Sequence, residues 1–146
     1  MDHNDHVDLL RPANLDQGGA WTDLGAGSGA FTLALRELVG ANATIHAVDK
    51  DRASLDRLKQ EFAARFGETK NLYMVNEDFS HTFTAQPLDG ILMANSLHFF
   101  KDKEKILNHI KSFLKPYGIL LVVEYNVAAV LKTHGDRARG QALFQQ

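Results

Sequence analysis

A chain of 146 residues, 45% hydrophobic and 23% charged, is long enough for one domain with a real core, and its composition argues against long disorder. A net charge of −2 gives no general basic footprint for DNA or RNA, and the absence of cysteine excludes disulfides, thiolate zinc sites and cysteine nucleophiles together. No apolar run approaches the roughly 20 residues that a bilayer-crossing helix needs. The start Met1-Asp2-His3-Asn4-Asp5-His6 is acidic and polar where a secretory signal is basic and then greasy, so a cytoplasmic chain without a membrane partner is expected.

In chain order, His3 and His6 with Asp2 and Asp5 have metal-ligating types but no third anchor, so no metal site is expected there. Val7, Leu9 and Leu10, ahead of Pro12, suit a short helix. Residues 21–24 form a first strand, and the helix after it carries Phe31, Leu35 and Leu38 on one face and stops at Gly40, which suits a left-handed cap. Residues 44–48 form a second strand ending at Asp49. Its helix spaces Leu55, Leu58, Phe62 and Phe66 along one side and ends at Gly67. Residues 72–75 form a third strand, and Pro87 breaks the loop before a fourth at 91–94. A helix over about 102–114 then buries Ile106, Leu107, Ile110 and Phe113, and residues 115–118 make a turn. The fifth strand, 119–123, is apolar at every position, as expected when both faces are covered. Strands alternating with helices in this way indicate an α/β domain with a parallel sheet.

Ligands of such sheets bind beyond the carboxyl ends of the strands, where strand order reverses. The first of these ends reads Asp23-Leu24-Gly25-Ala26-Gly27-Ser28-Gly29. Alternating glycines turn the chain sharply and remove the Cβ atoms, so a ligand can lie against backbone N–H groups at a helix start. Asp23 offers a negative charge to a positively charged ligand group, which a pyrophosphate would not tolerate. Asp49 and Asp78 stand near the ends of the next two strands, and Asn95-Ser96-Leu97-His98 and Glu124-Tyr125-Asn126 follow the fourth and fifth.

From about Gly19 to Asn126 the chain resembles the class I S-adenosylmethionine-dependent methyltransferases, and among them the small-molecule type. The resemblance implies a Rossmann-like doubly wound sheet, five parallel strands in the order 3-2-1-4-5, over a binding domain of residues 1–126. It implies that the segment with Asp23, Gly25, Ala26, Gly27 and Gly29 wraps the methionine end of S-adenosylmethionine. Asp49 would then accept from both ribose hydroxyls, and Asp78 would take the adenine amino group, with Glu77 as its alternative. Lys50 stands where the family usually has an apolar residue, and its methylene stem is expected to cover the adenine. Phe79 packs against the same ring or belongs to the core. Asn95 and Ser96 are expected to line the methyl-transfer pocket. His98 either accepts the substrate's proton as the methyl group arrives or is a buried, hydrogen-bonded histidine. Glu124 and Tyr125 are further candidates on the substrate side, and residues 1–18 are expected to form a helical lid over the cofactor.

The reaction expected is transfer of a methyl group to a small molecule, with S-adenosylhomocysteine as product. The sulfonium makes the methyl group reactive, so the protein needs mainly to hold a nucleophile in line at about 3–3.5 Å. The fourth-strand loop lacks the Pro-Pro-aromatic run of adenine and glutamine N-methyltransferases. Gly25-Ala26-Gly27-Ser28-Gly29-Ala30 also meets the looser dinucleotide pattern, with Asp49 placed for a ribose, so a nicotinamide-dependent oxidoreductase is the competing enzyme reading.

The family normally continues past its fifth strand with a helix and an antiparallel pair of strands, and only residues 127–146 remain here. Val127-Ala128-Ala129-Val130-Leu131 suits a short helix, and the polar stretch 132–140 is rich in breakers, so the tail is expected to be atypical and the pair missing. This loss favours the alternative of a binding module with impaired chemistry. It would also leave the fifth strand as an apolar edge, to be covered by a homodimer or by the tail folded back.

Overall fold

Short apolar runs rich in Val, Ile and Leu become strands, and the longer amphipathic stretches between them become helices capped by the residues that precede them. The computed structural model describes residues 1–78, 87–124, 127–133 and 143–145. Phe79, Tyr125 and Asn126 lie outside the described residues. The helices are α1 (His3–Leu10), α2 (Ala30–Val39), α3 (Arg52–Phe66) and α4 (Lys103–Lys111). The strands are β1 (Ala20–Leu24), β2 (Thr44–Val48), β3 (Leu72–Val75), β4 (Leu88–Ala94), β5 (Leu114–Glu124), β6 (Val127–Lys132) and β7 (Leu143–Gln145). Asp2, Asp51 and Asp102 cap α1, α3 and α4 through their side chains, whereas α2 opens on Gly29 with no side-chain cap.

The sheet order is β3-β2-β1-β4-β5-β6-β7, and β1 to β5 are parallel. This is the doubly wound α/β arrangement, with the order reversing between β1 and β4. One face of the sheet packs on α1, α2 and α3 through Val7, Leu10, Leu35, Leu58 and Phe62. The other packs on α4 through Ile110, with Ile106 and Leu107 beside it. Gly90 lets β4 pass Trp21: a Cβ there would sit 2.3 Å from the indole ring. The α1 helix lies along α2, where His3 Nε2 is 3.0 Å from Glu37 Oε1 and the His6 ring stands 4.7 Å from that of Phe31. No residue of 1–18 lines the cavity at the strand tips that is described below. No helix among the described residues is long and apolar enough to cross a membrane.

The C-terminal expectation is corrected. Residues 127–132 are not a helix: β6 runs antiparallel to β5 from Glu124↔Val127 to Ile119↔Lys132, and β7 runs antiparallel to β6. An antiparallel pair is therefore present, and the sheet has seven strands among the described residues rather than five. A helix of five residues closes almost no hydrogen bonds, whereas a strand satisfies the whole open edge of β5. It also sends Ala128 and Val130 into the core on one face. Thr133 follows β6, its hydroxyl within 3.0 Å of the carbonyls of Lys115 and Gly118, to which it donates. A homodimer through the β5 edge loses its basis, because β6 occupies that edge.

A second correction concerns residues 115–118, expected as a turn between helix and strand. They lie within β5, where the register jumps from Leu88↔Leu114 to Gly90↔Ile119. The extra residues bulge out of the ladder, with Tyr117 at φ +65°. As a result α4 ends at Lys111, short of the expected 114.

Candidate cofactor site at the strand tips

At the end of β1 the chain leaves the sheet through three left-handed glycines, Gly25 at φ +75°, Gly27 at +58° and Gly29 at +94°. They serve different ends. A Cβ on Gly27 would meet nothing within 4 Å, so its backbone borders open space, whereas a Cβ on Gly29 would lie 2.5 Å from Leu58 Cγ. Gly29 therefore lets the start of α2 pack on α3, a role the spacing alone does not reveal. The N–H groups of Gly25 and Ala26 donate to the Val48 carbonyl at 2.8 and 3.0 Å, which locks the loop onto the end of β2.

Asp49 is held by two backbone donors: Gly27 N–H to Oδ2 and Asp51 N–H to Oδ1, both at 2.8 Å. A carboxylate offers about four acceptor positions, so these two bonds orient it and leave capacity for hydroxyl donors. Asn76 clips the β3 end to this group, its amide donating to the carbonyls of Asp49 and Lys50 at 3.0 Å each. That positioning role escaped the sequence reading, although an Asn directly after a strand end is a signal for it.

Asp23 is 1% exposed. Its Oδ2 accepts from the Thr32 hydroxyl at 2.5 Å, and its Oδ1 is buried with no hydrogen-bond partner. Burial raises its pKa to about 7 from an ordinary 3.8; the Thr32 bond opposes the shift and the charge of Asp49 adds to it. Thr32 was not anticipated, and its one sequence signal is a hydroxyl set among the apolar residues that open α2.

Gly25, Asp49, Lys50, Asp78 and Asn95, five of the expected cofactor-binding positions, line a cavity of about 390 Å³, whereas Asp23, Ala26, Gly27 and Gly29 are not among its lining residues. Glu77, Ser96, Phe99 and Phe100 complete its wall. Asp78 is half-buried and Glu77 exposed, and both face the cavity. Ser96 donates to the Leu24 carbonyl at 3.2 Å, tying the loop after β4 to the end of β1, and Asn95 takes φ +55°. Phe99, 77% exposed, and Phe100 were not anticipated as wall residues; adjacent aromatics after a strand end are their only signal. His98 is not in the wall. It stands between Leu97 and Phe99 on a 3-10 turn, its backbone N–H donating to Glu124 Oε1 at 3.2 Å and its Nδ1 2.9 Å from Glu124 Oε2. It is exposed, not a buried histidine.

An acid-lined cavity over a glycine turn, at the reversal point of a doubly wound sheet, defines a nucleoside-binding class of domain. The family model described as a methyltransferase domain matches residues 15–142, and the chain belongs to that family. The carboxy-S-adenosyl-L-methionine synthase of Shewanella woodyi is 30% identical over 105 residues, covering 70% of this chain and 42% of that protein. A ubiquinone/menaquinone biosynthesis C-methyltransferase of Wigglesworthia glossinidia brevipalpis is 26% identical over 105 residues, covering 71% of this chain and 42% of the relative. The chain thus spans less than half the length of these curated relatives. Among solved structures, coclaurine N-methyltransferase bound to N-methylheliamine and SAH superposes with a TM-score of 0.71 at 24% identity, over 82% of this chain and 35% of that one. A SAM-dependent methyltransferase from Aquifex aeolicus gives 0.66 at 24% identity, over 82% and 63%. These likenesses establish the fold.

Proposed function

We propose that this chain binds S-adenosylmethionine at the strand-tip cavity and transfers its methyl group to a small-molecule acceptor. The observation that carries this reading is the convergence of Gly25, Asp49 and Asp78, from three successive strand ends, on one cavity. The residues present fit the cofactor. The partnerless buried Oδ1 of Asp23 suits the ammonium of its amino-acid end, and the open space at Gly27 suits close approach to backbone. Asp49 has acceptor capacity for a vicinal diol, and Asp78, with Glu77 beside it, suits the exocyclic amine of adenine. Lys50, exposed at the cavity wall, has a stem long enough to cover a ring.

When bound, the cofactor supplies an electrophilic methyl group whose displacement leaves S-adenosylhomocysteine. The chain's own residues hold, shield and move protons. The loop after β4 walls the cavity with Asn95, Ser96, Phe99 and Phe100 and keeps water from the reacting atoms. His98, on the same loop, stands outside the described cavity wall against Glu124, and its assignment as the group that accepts the acceptor's proton rests on the sequence resemblance alone. The curated relative named as a ubiquinone/menaquinone biosynthesis C-methyltransferase supports a small acceptor as a class.

The nicotinamide reading is disfavoured by a specific contact. The Gly27 N–H that would greet a phosphate is already given to Asp49 Oδ2, and Asp23, Asp49, Glu77 and Asp78 make the surroundings hostile to pyrophosphate. The binding-module reading drew on a missing antiparallel pair, and the presence of β6 and β7 removes that support. Calorimetric titration with S-adenosylmethionine and with NAD tests the proposal: uptake of the first alone supports it, and uptake of NAD alone refutes it. Formation of S-adenosylhomocysteine with a panel of phenols, amines and thiols then separates an enzyme from a binding module.

A further inference from the structure

The residues that line the strand-tip cavity divide by chemistry. Asp49, Lys50, Glu77 and Asp78, beyond the ends of β2 and β3, are charged, whereas the turn after β4 contributes the aromatic rings of Phe99 and Phe100. At about 390 Å³ the cavity stands near the lower end of ligand pockets, which run from about 300 to 1,000 Å³, so a bound cofactor fills most of it and an acceptor is left with the rim. Phe99 belongs to that rim, for it lines the cavity and is 77% exposed. The His98 ring backs it, with centroids 4.1 Å apart and planes tilted by 41°, and His98 is tethered in turn by Nδ1, 2.9 Å from Glu124 Oε2. A phenyl ring supported on one side offers a flat apolar surface on which another ring can lie in offset-stacked or edge-to-face geometry. Three of the described lining residues are carboxylates and one, Lys50, is a cation, so the surroundings disfavour a negatively charged acceptor.

We propose that Phe99 is a specificity-determining residue for the methyl acceptor, a platform that selects a flat aromatic molecule without an anionic substituent. This rests on the methyl-transfer reading and names the acceptor class for that same site. Stacking on Phe99 removes from water an apolar surface that the free chain leaves exposed, and it holds the acceptor at the cavity mouth beside the cofactor. A saturated ring of the same size covers a similar area but lacks the ring face that the phenyl group pairs with. A carboxylate on the acceptor meets Glu77 and Asp78 across the cavity. Phe99 thereby serves the acceptor rather than the cofactor, whose ribose and adenine fall to Asp49, Asp78 and Lys50 in the reading above.

Three probes test the idea on the full chain saturated with S-adenosylhomocysteine: naphthol, its saturated counterpart decalol, and hydroxynaphthoate. Calorimetry gives the affinities, and ring signals of ¹³C-labelled phenylalanine show where the probe lies. Naphthol should bind about three- to tenfold more tightly than decalol and about tenfold or more above hydroxynaphthoate, moving the Phe99 ring signals. Phe99→Ala should weaken naphthol about tenfold or more, and Phe99→Trp should restore it. In both variants the affinity for S-adenosylmethionine should stay within about twofold of the wild type. Naphthol that fails to bind, binds no better than decalol or hydroxynaphthoate, or binds Phe99→Ala unchanged overturns the proposal. So does a matching loss of S-adenosylmethionine affinity in Phe99→Ala, which would assign the ring to the cofactor. A wild-type chain that takes up neither S-adenosylmethionine nor S-adenosylhomocysteine instead refutes the methyl-transfer reading beneath it.

Discussion

Placing the charged end of the cofactor at Asp23, as proposed above, predicts that uptake is a proton-coupled event. Its pKa is raised by burial to about 7, against 3.8 for an ordinary carboxyl. At 1.36 kcal/mol per unit, ionising it in the folded chain costs about 4 kcal/mol. The folded state therefore binds this proton more tightly than the unfolded chain. The associated stability is fully present below about pH 4, falls as pH rises and is gone above pH 7. Against a typical domain stability of about 5–15 kcal/mol this is a large share. A cationic ligand group beside Oδ1 favours the ionised form, so binding below pH 7 must expel the proton. Affinity should then fall about tenfold from pH 8 to pH 6. Calorimetry in buffers of different ionisation enthalpy reads the effect directly, as release of close to one proton at pH 6 and almost none at pH 8. In Asp23→Asn the affinity is lower and this component of the pH dependence disappears. Wild-type affinity that is flat from pH 6 to 8, with no proton released, would refute the assignment of Asp23 to the ligand's charged end.

Asp49→Ala removes acceptors for two ligand hydroxyls; at about 1.5–3 kcal/mol per bond to a charged group, cofactor affinity should fall 10²-fold or more by calorimetry, and an unchanged value shows the ribose contact is misassigned. Gly29→Ala meets Leu58 at 2.5 Å with φ +94°, so urea denaturation should show a loss of about 2–5 kcal/mol. Gly27→Ala has open space and should cost only about 1–2 kcal/mol, yet weaken cofactor binding by covering the backbone. Deleting residues 127–146 bares the β5 edge, and sedimentation should show concentration-dependent association stronger than that of the full chain; an equally monodisperse truncated chain contradicts the covering role of β6.

The parallel half of the sheet was legible because each strand is bounded by a signal with a mechanism. Gly40 and Gly67 stop helices at positive φ, and the glycine turn announces the ligand end of β1. The tail was not legible, because Val127-Ala128-Ala129-Val130-Leu131 has no local preference strong enough to decide, and the open edge of β5 imposes the strand on it. The bulge at 115–118 misled for a related reason: Pro116 and Gly118 are turn residues, and only the pairing of Leu114 with Leu88 carries the strand across them. Within the site, sequence named the acids at the strand tips but not what surrounds them. Thr32 beneath Asp23, Asn76 behind Asp49 and the tandem aromatics at 99 and 100 act through proximity created by the fold.

Where a sulfonium nucleoside binds on this fold is decided most directly by chemical-shift mapping. Backbone amide shifts of the ¹⁵N-labelled full chain, followed through titration with S-adenosylmethionine, should move first and most at residues 25–29, at Asp49 and Lys50, and at Glu77 and Asp78, with NAD leaving them in place. Perturbations gathered elsewhere on the fold, or a spectrum unmoved by saturating nucleoside, would contradict the strand-tip assignment.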